Sequence, residues 1–210
     1  MMIASALHLS RADLKALKVT DAYSIHRVVY GLFADIRSEA DKQKSLPSGI
    51  LYADKGGDFH GRKILILSNR QPNLPEHGEL TIKKIADSFL ANSHYRFEVV
   101  INPTKRDNTT KKLVAITALS GDDTGTREKI ADWFVNKAPQ WGFTVSPAHL
   151  EVREIDVKRF QKNEQTITQS QAKLIGRLAV TDQAKFVQSF QNGIGRGRAF
   201  GAGLLQIVPI

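Results

Sequence analysis

The sequence predicts an α+β architecture of two sheet-bearing domains in tandem, and three observations carry that expectation. Strand-like apolar runs recur through both halves. Each half places an amphipathic helical pattern before its later strands, and the halves share this order without sharing a sequence repeat. At 210 residues with 41% hydrophobic content, the chain can bury a real core as one ordinary domain or two small ones, which excludes wholesale disorder.

In the first half, Ile3, Ser5, Leu7 and Leu9 alternate with Ala4, Ala6 and His8 as an opening strand. Thr20 or Asp21, each an acceptable N-cap, precedes a helix running to about Arg37. Its Ile25, Val29, Leu32, Phe33 and Ile36 follow the i, i+4, i+7, i+8, i+11 spacing of an apolar stripe. After a break from Lys42 to Pro47, Ile50 to Ala53 and Lys63 to Leu67 read as strands, with KGGDFHG between them as a hairpin signal. Leu80, Ile82 and Ile85 fit a fourth strand or a short irregular element.

The second half repeats the order. Tyr95 to Ile101 is a strand closed by Asn102-Pro103, and the loop TKRDNTTKK joins it to an apolar run from Leu113 to Leu119. Thr126 to Lys137 is a helix with Ile130, Trp133, Phe134 and Lys137 at helical spacing. Strands at Leu150 to Phe160 and Leu174 to Val180 follow, separated by the polar QKNEQTITQSQ. Thr181 or Asp182 then caps a helix bearing Phe186, Val187 and Phe190, and Leu204 to Val208 closes the pattern. Two βαββ-like halves point to tandem ferredoxin-like (RRM-like) βαββαβ domains with antiparallel sheets, spanning 1–91 and 92–210. Tyr95, Phe97 and Phe143 are expected in the core rather than as base-stacking platforms.

The charge is +9, with a pI near 9.8. Residues 92–210 hold 17 Lys/Arg against 11 Asp/Glu, and residues 1–91 hold 13 against 10. The surplus favours a polyanion, RNA or DNA before a membrane surface. No cysteine is present, which removes disulfides, thiolate nucleophiles and sulfur-ligated zinc, and agrees with a reducing compartment. The start MMIASALHLSRADLK lacks a long apolar stretch, and no window approaches the ~20 apolar residues of a membrane span. The expectation is a cytoplasmic protein with no membrane partner.

The densest signal is NGIGRGRAFGAGLLQIVPI, with Gly193, Gly195, Gly197, Gly201 and Gly203 too close for a helix or strand interior. Neither G-x-G-x-x-G nor a P-loop fits it, so dinucleotide and nucleoside-triphosphate binding are not expected. Exposed N–H groups with Arg196 and Arg198 beside them suit a phosphate backbone, the alternative being a flexible turn. Two further basic groups are Lys105-Arg106 with Lys111-Lys112, and Lys158-Arg159 with Lys162. On the helical wheel His26 lies at the edge between the apolar stripe and a cluster of Tyr23, Arg27 and Tyr30. An imidazole there can serve as acid or base in phosphodiester chemistry, or can be an ordinary boundary residue. No His/Asp/Glu set has the i, i+4 spacing of a helical metal site, and Asp122-Asp123 and Asp54/Asp58 read as turn residues. No metal or other cofactor is therefore expected.

The pattern N-G-I-G-x-x-x-x-F-G-x-G-L-L resembles the glycine-rich loop of the repeat-associated mysterious protein superfamily, and within it the CRISPR RNA-processing endoribonucleases of the CasE type. Tyr23-Ser24-Ile25-His26 followed by Gly31-Leu32-Phe33 resembles that family's Tyr-x-x-His helix, and Ile101-Asn102-Pro103-Thr104-Lys105 its strand ending in Asn-Pro and a basic residue. The resemblance implies cleavage of a CRISPR precursor RNA at the base of its repeat stem-loop. The 2′-OH would attack the adjacent phosphorus and leave a 5′-OH and a 2′,3′-cyclic phosphate, without metal. His26 would be the catalytic acid or base, and Tyr23 would position the ribose or phosphate. Arg27, the basic groups and the glycine loop would bind RNA, with stabilisation of the phosphorane open among Arg27, Lys158 and Arg196. The processed guide RNA and other effector-complex subunits would be the partners. The alternative is a non-catalytic RNA-binding subunit of the same footprint.

Overall fold

A strand that is apolar at consecutive positions needs cover on both faces, whereas one that alternates needs it on one. The chain contains both kinds. The computed structural model describes residues 2–36, 47–118, 122–162 and 165–210. Arg37, the break at 42–46, Leu119 and the side chain of Lys162 lie outside the described residues.

The first sheet has the order β2-β3-β1-β4, from β1 (Met2–Leu9), β2 (Ile50–Gly57), β3 (Arg62–Ser68) and β4 (Glu79–Ile85), with every neighbouring pair antiparallel. Successive residues of β2 and β3 enter different cores. Ile50, Tyr52, Ile64 and Ile66 pack with Ile25, Val29, Leu32 and Phe33. Leu51, Ala53 and Leu67 join the larger cluster that holds Leu90, Ile194, Leu204 and Leu205.

Among the described residues, two short helices lie between β1 and β2. The first, α1 (Arg11–Ala16), is opened by a capping box in which Ser10 and Asp13 satisfy each other's backbone N–H groups. Sequence reading passed over it because six residues bury no apolar stripe. The second, α2 (Ala22–Gly31), is capped by Asp21, whose side chain accepts from the Ser24 N–H at 2.8 Å. It stops six residues before the predicted end at Arg37. Bonds from Leu32 N–H to the Val29 carbonyl and from Phe33 N–H to the Tyr30 carbonyl tighten its last turn. Leu32 and Phe33 are thereby turned into the core, while Ile36 is left 67% exposed. Between β3 and β4, Pro72, Pro75 and Gly78 keep QPNLPEHG irregular, so no second helix forms there.

The second sheet repeats the same order as β10-β5-β9-β8, again antiparallel throughout. Its strands are β5 (His94–Ile101), β8 (Phe143–Lys162), β9 (Gln165–Val180) and β10 (Gln206–Pro209). Both helices of the unit are present, α3 (Asp123–Lys137) and α4 (Gln183–Asn192), each N-capped by an aspartate, Asp122 and Asp182. Tyr95, Phe97 and Phe143 are buried in the core, as expected. Apart from Asn163 and Glu164, which lie outside the described residues, the polar QKNEQTITQSQ is strand: β8 runs to Lys162, β9 begins at Gln165, and the two form one long hairpin arm. The predicted strand from Leu113 shrinks to β7 (Leu113–Ala115), which among the described residues pairs with β6 (Thr104–Arg106) alone, in a small exposed hairpin. Among the described residues no helix is long and apolar enough to cross a membrane.

Candidate functional site

The glycine-rich segment folds back on itself and lies between the two sheets. The Ile194 N–H donates to the Gly203 carbonyl at 2.9 Å and the Gly203 N–H to the Val100 carbonyl at 2.7 Å, which pins the loop to β5. All five loop glycines have φ between +70° and +86°. At Gly203 a methyl group would also come within 2.5 Å of the Ile194 carbonyl oxygen, whereas at Gly195 it would meet nothing within 4 Å. The loop is thus tightly packed along most of its length.

Within it, a 3₁₀ turn at Arg198–Phe200 presents two consecutive carbonyls. The Ala199 oxygen accepts from His26 Nδ1 at 2.7 Å and from the Tyr52 hydroxyl at 3.2 Å. The Phe200 oxygen accepts from Gln171 Nε2 at 3.1 Å. A carbonyl oxygen can only accept, so Nδ1 of His26 carries the proton, and in the neutral ring the lone pair is on Nε2. Aromatic rings frame this imidazole: Tyr30 at 4.2 Å between centroids, Phe200 at 5.5 Å, and Tyr23 at 5.9 Å and nearly parallel. Tyr52 is buried, and desolvation pushes its hydroxyl far above the ordinary tyrosine range, so it stays a donor at working pH.

Beside the turn opens a cleft of about 560 Å³, with Tyr52, Lys55 and Asp54 from β2 on one wall and Asp156, Lys158 and Gln171 from the hairpin arm on the other. Lys55 reaches across it to Glu98. Lys158 lies 2.7 Å from Asp156, and that hydrogen bond holds the Asp156 carboxyl below its usual range.

The structure brings some of the predicted site residues together and not others. Tyr23, His26 and Arg27 share one side of α2, Arg27 exposed and the other two half-buried, with His26 docked on the glycine loop. Lys158 and Arg159 are exposed on the arm and line the cleft next to Phe200 and Gly201. Arg196 is exposed at the loop surface, but Arg198 is folded inward, its guanidinium donating to the Asn192 carbonyl at the end of α4 at 2.8 Å. Lys105, Arg106, Lys111 and Lys112 are all exposed on the separate β6–β7 hairpin, whose turn is organised by Asp107 accepting from Thr109 and Thr110. Asp54, Asp58 and Asp122 each accept backbone N–H groups in turns or caps. Sequence reading missed Tyr52, Phe160, Gln171 and the Ala199 carbonyl. A tyrosine inside an apolar strand and glutamines in a polar stretch carry no local sign of a partner up to 147 residues away.

Known proteins share this fold. The CRISPR-associated endoribonuclease Cse3 of Thermus thermophilus is 31% identical over 124 residues, 54% of this chain and 55% of that protein, so the match spans about half the length of the relative. In three dimensions the chain is similar to Thermus thermophilus Cse3 bound to an RNA representing a pre-cleavage complex, with a TM-score of 0.78 at 19% identity over 99% of both chains. It is also similar to a chain of a CRISPR RNA-guided surveillance complex, with a TM-score of 0.65 at 18% identity over 99% of this chain and all of that one. These likenesses establish the fold as the tandem ferredoxin-like arrangement. Family membership rests on a longer sequence match, for the CRISPR associated protein model covers residues 2–209, and the chain belongs to that family.

Proposed function

We propose that the protein is an endoribonuclease that binds the stem-loop repeat of a CRISPR precursor RNA, cleaves it without metal by 2′-OH attack, and keeps the guide RNA as a subunit of an effector complex. The relatives support the substrate class: one is named an endoribonuclease, one structure holds RNA in a pre-cleavage complex, and one chain is part of an RNA-guided surveillance complex. The observation that carries the reading is the seating of His26 on the Ala199 carbonyl, between the tyrosines of α2 and the glycine loop. The two units are taken as 1–91 and 92–210, a division supported by the first sheet ending at Ile85 and the second beginning at His94.

In the proposed reaction the nucleophile is the substrate's own 2′-oxygen. It loses its proton and bonds to the adjacent phosphorus, and the bond to the 5′-oxygen breaks as that oxygen gains a proton. The products are a 2′,3′-cyclic phosphate and a 5′-OH, and DNA, lacking the hydroxyl, is inert. With Nδ1 engaged by Ala199, His26 exchanges protons at Nε2, either taking one from the 2′-OH or giving one to the 5′-oxygen. Tyr23, nearly parallel to the imidazole, is placed to orient the ribose or phosphate. Arg27, Lys158 and Arg196 are the candidates for the charge that builds up at phosphorus. The remaining basic groups would follow the stem backbone, because A-form grooves hide base edges from side chains.

The test is cleavage of the hairpin repeat from the protein's own locus in EDTA. Wild type cuts, His26→Ala loses about two orders of magnitude or more in rate, and a 2′-deoxy at the scissile nucleotide abolishes cutting. A second reading, an RNA-holding subunit without activity, draws on the same contact, since Ala199 and the surrounding rings would equally retain a packing histidine. Tight hairpin binding with no cut by wild type would establish it.

A further inference from the structure

The two carbonyls that the 3₁₀ turn presents are held from opposite halves of the molecule. Tyr52 stands on β2 of the first sheet, and its ring fills the space beside Gly201, where a methyl group would approach its Cε2 to 3.1 Å. Gln171 stands on β9 of the second sheet, across from Asp156 of the hairpin arm. The arm adds Phe160, whose ring lies 4.6 Å from that of Phe200, and Gln169, buried against Gly197. The turn is only three residues long, bounded by Gly197 and Gly201, both left-handed, and the Phe200 N–H bond to the Gly197 carbonyl at 2.8 Å closes it. Such a turn can rotate its peptide planes unless something outside it fixes them.

We propose that Tyr52 and Gln171 are positioning residues for His26. By gripping the Ala199 and Phe200 carbonyls from two sheets, they hold the Ala199 oxygen against Nδ1 and so commit the neutral imidazole to the tautomer with its lone pair on Nε2. This rests on the reading of His26 as the proton-transfer group. It makes the seam between the sheets part of the catalytic apparatus: a shift of the arm against the first sheet changes which nitrogen can exchange a proton.

Two readouts test it, and one needs no RNA. With the imidazole of His26 labelled with ¹⁵N and neutral, wild-type Nδ1 resonates as a protonated nitrogen and Nε2 as an unprotonated one. In the Tyr52→Phe/Gln171→Leu double variant both resonances move toward the average of mixed tautomers. In the second readout, single-turnover cleavage of the hairpin repeat RNA at saturating protein falls about tenfold in the double variant, while the Kd for that RNA stays within about twofold. Tyr52→Phe alone keeps the ring that packs on Gly201, so it gives the same shifts in part, in a variant whose fold is checked by thermal melting. Unchanged His26 resonances in the folded variants overturn the inference, as does a rate that falls only in step with Kd. Should the resonances shift while even wild type fails to cut, the positioning role stands and the nuclease reading fails.

Discussion

The two sheets have the same strand order and the same antiparallel pairing, yet they solve the problem of cover differently. The second carries both helices of its unit on one face, with Tyr95, Phe97, Val99 and Ile101 beneath them and Arg96 and Glu98 on the other side. In the first, among the described residues, α2 packs against the sheet, and an irregular proline-containing segment stands where another helix would lie. Its β2 and β3 are nonetheless apolar on both faces, because the far side is covered by Leu90 and by the glycine-rich segment with Ile194, Leu204 and Leu205. The loop that holds His26 is therefore also core for the first sheet. The difference teaches that the site and the join between the halves are one structure, and that one cannot be loosened without the other.

Five substitutions would break or sharpen this comparison. Leu67→Ala, on the far face of β3 and 3% exposed, should cost about 2–5 kcal/mol. Denaturant unfolding should show the loss in the single transition of both sheets; a separate early transition of residues 2–85 would refute the shared core. Gly203→Ala should cost about 2 kcal/mol or more through its left-handed φ and its approach to the Ile194 carbonyl. Gly195→Ala, with the same backbone region but open space, should cost about 1 kcal/mol. Equal melting temperatures for the two glycine variants would mean that the loop is not packed as described. On the one-sided sheet, Val208→Thr should fall within about 0.5 kcal/mol of wild type, since Val208 is 63% exposed. The smallest effect belongs to Asp156 on the cleft wall. Its carboxyl is held low by Lys158, so any stabilisation is complete above the ordinary carboxylate value of about 3.9 and is lost as pH falls through the lower folded value. Asp156→Asn should then change stability at pH 7 by roughly half a kcal/mol or less, because the pair is largely solvated, and the difference from wild type should vanish in strong acid.

Much of this was legible in the sequence where one element's own residues decide its structure. The alternation HYRFEVVI gives a one-sided strand, Asp21 and Asp182 announce two helices, and the glycine spacing marks a turn-rich segment. The near-continuous apolar runs of β2 and β3 signalled strands, but nothing local says what covers their second face. The end of α2 was misplaced for a related reason: Ile36 keeps the helical spacing, yet Leu32 and Phe33 gain more by turning into the core than the helix gains by continuing. The arm was misread because polar alternation in QTITQSQ describes a strand whose outward residues face solvent or a cleft as well as it describes a loop. At the site, Tyr23 and His26 lie three residues apart and could be paired by eye. Tyr52, Gln171 and the Ala199 carbonyl meet only after long-range packing, and a backbone oxygen leaves no mark in a sequence.

The hydrogen bond from His26 to Ala199 spans 173 positions of the chain. At ribosomal elongation rates of about 5–20 residues per second, roughly 10 to 35 seconds separate the synthesis of the imidazole from that of its acceptor. During that interval α2 can form and β1 to β4 can pair, but the geometry at Nδ1 does not yet exist. A nascent chain on the ribosome thus carries the imidazole without the frame that holds it. On the reading of His26 as the proton-transfer group, competence would arrive only with the glycine loop, after most of these residues have been made, and a shorter nascent chain would leave the RNA around it uncut.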